Sequence, residues 1–138
     1  FFKEDQKAVE RVQRRATRLV PELKRLPYPE RLRILDLHSL YYRRRRGDMI
    51  RTYQIIHADL DLQPDDFFSP ATYASTRGHA WKLRKEQARL RVRRDCFSVR
   101  VLNDWNALPT DVVQAVSLNQ FKSRLDAHWA GIRFQIPD

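Results

Sequence analysis

Apolar residues in this chain recur at every third or fourth position through several segments, and prolines lie between those segments. The first such stripe is followed directly by Pro21 and consists of Val9, Val12, Ala16, Leu19 and Val20. Spacings of three and four place side chains on one face of an α-helix. Proline ends a helix because it has no N–H to donate and its ring clashes with the preceding turn. The pattern therefore predicts a mainly helical fold in which each stripe faces the core.

About five helices are expected, in three stretches of the chain. Residues 1–20 are predicted to form an amphipathic basic helix, residues 28–57 a helical basic segment, and residues 95–129 the C-terminal helices. Ser117 and Gln120 match a capping box, which marks the start of the last helix. The core side chains expected from the second and third stretches are Tyr42, Met49, Tyr53, Ile56, Phe97, Val101, Trp105, Leu118, Phe121, Leu125 and Trp129.

Residues 76–93 have a different pattern, which is typical of a β-hairpin. Leu90 and Val92 alternate with arginines within 89–93, and alternation with a period of two is the signature of a half-buried strand. The stretch 76–83 supplies the second candidate strand, and the residues between the two supply the loop. The predicted fold is therefore α+β, mainly α, with one antiparallel β-hairpin.

The charge of the chain points to a polyanionic partner. Lysine and arginine number 27 against 17 aspartates and glutamates, a formal net charge of +10, and 21 of the 27 are arginine. The planar guanidinium grips a phosphate with two hydrogen bonds, so this composition favours nucleic acid. The alternative is a basic domain whose cations are simply solvated. The single Cys96 excludes a disulfide framework and a cysteine-based zinc site.

Candidate phosphate contacts lie on two helices and on the predicted hairpin. One face of the first helix carries charge of a single sign that only Glu10 interrupts, so it is either solvated or a phosphate track; its cations are Lys7, Arg11, Arg14, Arg15 and Arg18. Residues 43–46 are four arginines that point around the helix and also resemble a nuclear localisation signal. Arg45 lies near the apolar stripe and should extend to solvent or meet an acidic partner. The predicted nucleic-acid-binding residues are Lys7, Arg11, Arg14, Arg15, Arg18, Arg43, Arg44, Arg46, Arg77, His79, Lys82, Arg89, Arg91 and Arg93.

Stacking groups for unpaired bases are fewer. Trp81 is either a core residue or a stacking platform, and His79 and Tyr73 are further candidates. Recognition of single-stranded RNA by such rings is a hypothesis that the sequence supports only through their position beside the basic residues.

No motif in the chain predicts catalysis or a bound metal. Residues 59–70 contain four aspartates, but they lack the glycine and the terminal glutamate of a calcium loop. A solvated loop or a partner for nearby arginines is the expected role, with Phe67 and Phe68 turned into the core. No glycine-rich phosphate loop or nucleophile triad is present, so no catalytic residue, metal site or cofactor is predicted. No apolar run approaches the roughly 20 residues that span a bilayer, so no membrane partner is expected.

Several blocks occur in an order that resembles a known family. They are VERVQRRATRLV (9–20), YPERLRILDLHSLYYRRRRGDMIRTYQIIH (28–57), TRGHAWKL (76–83), VLNDWNALP (101–109) and SLNQFKSRLDAHW (117–129). Together they resemble the region after the reverse-transcriptase domain in the open reading frame of jockey-like non-LTR retrotransposons (LINEs). Arg45 and Tyr41 depart from the resemblance, since an apolar residue and a glutamate are common at those positions.

The resemblance implies a larger polypeptide with an endonuclease and an RNA-directed DNA polymerase, which inserts by target-primed reverse transcription. Residues 1–138 are then a single, non-catalytic C-terminal domain, consistent with a start at Phe1 and an only methionine at Met49. Magnesium is expected only at the upstream polymerase site. The implied partners are the 3′ region of the template RNA, the RNA–DNA hybrid or target DNA, and the upstream reverse-transcriptase domain. The implied location is the nucleus, with a cytoplasmic ribonucleoprotein stage.

Two functional hypotheses remain after the sequence has been analysed. In the first, the chain binds nucleic acid and holds the template RNA or the hybrid. In the second, it is a helical protein-interaction module whose apolar stripes dock on the polymerase domain. Binding through phosphates weakens steeply with salt, whereas apolar docking does not. An independent nuclease is disfavoured, because no carboxylate cluster lies beside a strand with a suitably spaced lysine.

Overall fold

The computed structural model describes residues 3–71, 79–85 and 87–137. Within these residues the fold is all-α, with three single-turn 3₁₀ helices at Pro21–Leu23, Pro64–Asp66 and Ala130–Ile132. The α-helices are α1 (Lys3–Thr17), α2 (Tyr28–Ile34), α3 (Leu40–Ile56), α4 (Arg91–Arg94), α5 (Phe97–Arg100), α6 (Leu102–Asn106), α7 (Thr110–Val113) and α8 (Leu118–His128).

The chain divides into two compact units. The first comprises Phe1–Arg45 with Trp129–Asp138, and the second comprises Arg46–His128. The first unit contains α1, α2 and the beginning of α3, and the second contains the rest of α3 and the helices α4–α8.

In the first unit, α1 packs through a polar face, and the expectation that its apolar stripe forms core is wrong. Glu10 and Thr17 are the buried residues of this helix. Val9 is 44% exposed and Val12 is 68% exposed, and Leu19, beyond the helix end, is 82% exposed. The reason is that the opposite, polar face makes specific hydrogen bonds that the valines cannot replace.

The Glu10 carboxylate is the centre of those hydrogen bonds. It accepts the Tyr28 hydroxyl at 2.5 Å, and it accepts the backbone N–H groups of Leu40 at 3.2 Å and Tyr41 at 2.9 Å. These two amides open α3, so Glu10 caps that helix and lies at the positive end of its dipole. Burial and the hydrogen bond to Glu10 raise the pKa of Tyr28 above its ordinary value, so its hydroxyl stays protonated as the donor. Gln13 completes the network with a hydrogen bond to the Tyr28 hydroxyl.

A buried guanidinium joins the end of α1 to α2. Arg31 is 2% exposed, and it donates to the Thr17 hydroxyl at 2.9 Å and to the carbonyls of Leu26 and Arg14 at 2.6 and 3.2 Å. Carbonyls at a helix C-terminus carry partial negative charge and stabilise a cation there. Burial, with contributions from Arg18 and Arg14, lowers the pKa of Arg31 from its ordinary value.

In the second unit, the expected core is largely confirmed. Tyr53, Trp105, Phe121 and Leu125 are all at most 2% exposed. The Tyr53 and Phe121 rings stack with their centroids 4.4 Å apart, and Phe121 also contacts Trp105 at 6.1 Å. Burial of an aromatic side chain removes a large apolar area from water, so these rings contribute much of the stability of this unit.

The predicted β-hairpin at 76–93 is wrong for the described residues, and the class α+β is corrected to all-α. The stretch 82–84 is extended, but it pairs with 69–71 through one isolated antiparallel bridge, Pro70 with Leu83. Pro70 has no N–H, so it cannot extend a ladder. The stretch 89–93, also predicted as a strand, runs into α4. Leu90, directly before that helix, and Val92, within it, are 75% and 73% exposed. Alternating residues stabilise a strand only when a layer covers their apolar side.

A side chain replaces the missing strand partner. Asn106, at the end of α6, accepts the Leu83 N–H through Oδ1 at 2.8 Å and donates Nδ2 to the Leu83 carbonyl at 2.9 Å. The Trp105 indole N–H donates to the Trp81 carbonyl at 3.0 Å, and this hydrogen bond anchors the same stretch two residues before Leu83. The 79–85 segment is therefore held on α6 by the side chains of two adjacent residues.

Candidate nucleic-acid interface

A row of four cations begins on α1 and ends in the turn that follows it, and we call it the α1 row: Lys7, Arg11 and Arg15 of the helix, and Arg18 directly after its last residue, Thr17. All four side chains are exposed. Within the described residues, none of them forms an ion pair. The first three are four positions apart, a spacing that puts them on one helix face about 6 Å apart along the axis. The arrangement is a continuous positive edge facing solvent.

Arg14 was predicted with this row, but it lies toward the interior. It is half-buried, and its guanidinium carbon is 5.0 Å from the centroid of the Tyr28 ring, a cation–π contact. Its Nε atom is buried and has no hydrogen-bond partner among the described residues. Arg14 therefore acts partly as a packing residue of the first unit.

A cavity of about 350 Å³ lies beside the α1 row. Lys7, Arg11 and Arg14 line it, together with Glu4 and Glu10 of the same helix and Ile136 and Pro137. The two carboxylates give this cavity mixed charge, so the exposed edge of the row, and not the cavity, is the part suited to a polyanion.

The four arginines of 43–46 have different environments. Arg46 is held by Asp126 in a two-pronged ion pair, with distances of 2.6 and 3.0 Å from Nε and Nη2 to the carboxylate oxygens. Arg45 lies over the Trp129 ring at 5.1 Å and donates to the Gln135 side chain at 2.9 Å. Arg44 is half-buried, whereas Arg43 is exposed. Of the three predicted phosphate contacts here, Arg43 is the one open to solvent without an ion pair to a described residue.

The candidates from 76–93 are scattered over the second unit. Arg77 lies outside the described residues, and Lys82 is half-buried. Arg89 is exposed, Arg91 lies 3.9 Å from the Asp95 carboxylate, and the Arg93 guanidinium is 4.0 Å from the Cys96 sulfur. The strand face that the alternation predicted is therefore absent, because the arginines of α4 point around a helical turn.

His79 and Trp81 have opposite environments. The His79 ring is buried, and its Nε2 lies 2.9 Å from the Trp105 carbonyl, so it has no open face for a base. Burial lowers the pKa of His79 from its ordinary value. Trp81 is 41% exposed, and its ring contacts His57 at 5.0 Å. Of the two rings, Trp81 is the available stacking surface. Tyr73, the third candidate, lies outside the described residues.

Two cations missed by the sequence argument, Arg84 and Lys85, border two adjoining cavities of about 400 and 500 Å³. The alternating pattern predicts a hairpin loop at these two positions. The signal in the sequence is their position beside Lys82, which makes three cations within four residues.

The described residues contain no group of three or more side chains arranged to hold a metal ion. Among them, no helix has both the length and the apolar character that crossing a bilayer requires. Comparison of this chain with protein-family models, curated proteins and solved structures finds no match.

Proposed function

We propose that this chain is a nucleic-acid-binding module without catalytic residues of its own, and that it holds template RNA or an RNA–DNA hybrid through the phosphate backbone. This is the role implied by the resemblance to the post-polymerase region of LINE reverse transcriptases. The observation that carries the proposal is the α1 row, which presents three exposed cations on one side of a helix and a fourth in the turn directly after it.

The chemistry of the row suits backbone contacts. A polymerase must hold its hybrid without reading every base, and contacts to phosphate provide affinity without sequence information. The three cations on α1 extend over about 12 Å of helix, and Arg18 follows in the next turn, so the row is long enough to meet several phosphates of one strand. Because none is neutralised by a described carboxylate, each is available to displace a counterion from the nucleic acid.

The test is a salt titration of binding to single-stranded RNA, an RNA–DNA hybrid and duplex DNA. In the test variant Lys7, Arg11, Arg15 and Arg18 are replaced by glutamine, which keeps helix propensity. In the control variant four other exposed cations change to glutamine, so the net charge falls equally: Lys24, Arg25, Arg51 and Arg94.

The slope of log K against log salt is about 0.9 per phosphate contact on duplex DNA and about 0.7 on single strands. Loss of four contacts is expected to reduce the slope by about 3.6 and about 2.8, respectively. The control variant should retain most of the slope. Equal losses in the two variants, or a slope unchanged in the test variant, would reject the α1 row as the binding surface.

A second function is favoured by a different observation. The apolar stripe of α1 is exposed, and the α1 row borders it on one side. This combination fits a partner helix whose apolar stripe is bordered by acidic residues. We propose docking on the reverse-transcriptase domain as the alternative function, in which the cations orient the partner and the valines supply the affinity.

Pull-down by a jockey-type reverse-transcriptase domain at high salt tests this alternative. Burial of one valine side chain contributes about 1.5–3 kcal/mol, so replacing Val9 and Val12 by serine should weaken capture more than tenfold. Val116→Ser is the control, because Val116 is 88% exposed and lies in the second unit. Capture that disappears at high salt, or that both variants reduce equally, would contradict apolar docking.

A further inference from the structure

A candidate binding surface of the second unit lies along the segment 82–85. Asn106 holds the backbone of Leu83 in this segment, and Trp105 holds that of Trp81 just before it, which leaves the Arg84 and Lys85 side chains projecting. Both residues are exposed and border both adjoining cavities. Cavities of about 400 and 500 Å³ fall in the range of about 300–1,000 Å³ that binding sites for small organic molecules occupy. We call this surface the 82–85 groove.

The charges of the described residues of the groove favour an anion at its centre. Arg84 and Lys85 make no ion pair with a described residue. Among the described residues that line the two cavities, none is acidic. A phosphate between the cavities would meet the guanidinium fork of Arg84 and the ammonium of Lys85 together.

Each cavity also offers groups that suit a nucleobase. The exposed Asn103 amide lines the first cavity, and Gln87 lines the second. Neither side chain has a hydrogen bond to a described residue, whereas the Asn106 amide bonds the backbone N–H and carbonyl of Leu83. Amide side chains pair with the edges of bases. Phe67, half-buried, adds an aromatic surface to the second cavity, and unpaired bases stack on such rings.

We propose that the 82–85 groove binds one dinucleotide step of a single-stranded nucleic acid. Arg84 and Lys85 hold the central phosphate, and the two flanking bases enter the two cavities. In a duplex the bases are stacked and their pairing edges are engaged, so a paired strand cannot place bases in both cavities. This inference rests on the proposed nucleic-acid function and adds a selection for unpaired strands, which the α1 row does not provide.

The experiment compares affinities for single-stranded RNA, single-stranded DNA of the same sequence, and a blunt RNA duplex. The test variants of the full chain are the double change Arg84→Gln with Lys85→Gln, and Phe67→Leu, which keeps apolar volume but removes the ring. The control is Lys24→Gln with Arg25→Gln, an adjacent pair of exposed cations in the first unit. Thermal melting establishes that each variant is folded.

The groove variants are expected to lose tenfold or more in single-strand affinity and less than twofold in duplex affinity, while the control loses little of either. Stacking on an aromatic ring has effects of this size for each base. A further readout uses the unchanged protein: crosslinking to RNA that carries 4-thiouridine should label peptides that contain Phe67 or residues 84–87. The ratio of the affinities for single-stranded RNA and single-stranded DNA shows which of the two strands the groove prefers.

Three results would overturn the groove and leave the proposed function intact. These are unchanged single-strand affinity in both groove variants, equal losses for single strands and duplex, or crosslinks confined to residues 3–45. Absence of binding by the unchanged protein to all three probes is a different result. It would reject the proposed function itself, and the groove inference with it.

Discussion

Replacement of Glu10 by alanine tests whether the polar face of α1 holds the first unit together. The change removes the carboxylate that accepts the Tyr28 hydroxyl and the N–H groups of Leu40 and Tyr41. Loss of a helix cap costs about 1 kcal/mol, and a buried hydroxyl left without its acceptor costs about 1–3 kcal/mol. The expected destabilisation is therefore about 2–4 kcal/mol.

The magnitude translates into a measurable shift of the melting temperature. With an unfolding entropy of about 2.1 cal/mol/K per residue, 138 residues give about 0.29 kcal/mol/K, so 3 kcal/mol corresponds to about 10 °C. Calorimetry measures the shift of the melting temperature. Hydrogen exchange measures the local effect on α3, since the backbone amides of Leu40 and Tyr41 should exchange faster. Glu22→Ala is the control, because Glu22 is exposed and the change in charge is the same.

The reasoning would be refuted by a Glu10→Ala protein that melts with the Glu22→Ala control and keeps both amides protected. In that case the capping hydrogen bonds would not limit the stability of α3, and the orientation of α1 would need another cause.

Two further perturbations address the second unit. Trp105→Ala should destabilise the second unit by about 3–5 kcal/mol, because the indole is fully buried and its N–H bonds the Trp81 carbonyl. A chemical-denaturation midpoint equal to that of the unchanged protein would contradict this prediction. His79 has a lowered pKa in the folded state, so the unfolded state binds its proton more readily. Stability should be complete above the ordinary histidine pKa of about 6.5 and fall as the pH decreases below it. His79→Gln should flatten the stability–pH curve between neutral and mildly acidic pH, and an unchanged curve would count against this assignment.

Helical segments were the most predictable part of the fold. The stripes of α3 and α8 face the core, although Ile56 and Leu118 are only half-buried. One half of the predicted capping box at the start of α8 is formed, since the Gln120 N–H bonds the Ser117 hydroxyl at 3.1 Å, but the reciprocal bond goes to Val116 instead of Ser117. The Gln120 side chain accepts the Val116 N–H at 2.8 Å. These features depend on residues close together in the chain, so the sequence contains them.

Features that depend on distant residues were not predictable from the pattern. Tyr28 and the start of α3 determine which face of α1 is buried. The periodicity of α1 contains no information about these distant residues. The partner of the 82–84 segment is Asn106, more than twenty positions along the chain, and not the alternating stretch that follows it. In the same way, the neighbours of an arginine decide whether it can bind phosphate. Arg46 is paired with Asp126 of another helix, whereas the Arg11 side chain is exposed to solvent.

The hydrogen-bonding of Asn106 has a consequence for the chemical ageing of the protein. Its amide gives one donor and one acceptor to Leu83, an arrangement that only an amide satisfies. Deamidation to aspartate changes a single atom and leaves the volume almost unchanged. It nevertheless replaces the donor with a carboxylate oxygen 2.9 Å from the Leu83 carbonyl, where the two oxygens repel. Deamidation at this one position would therefore release the 79–85 segment at one of its anchors.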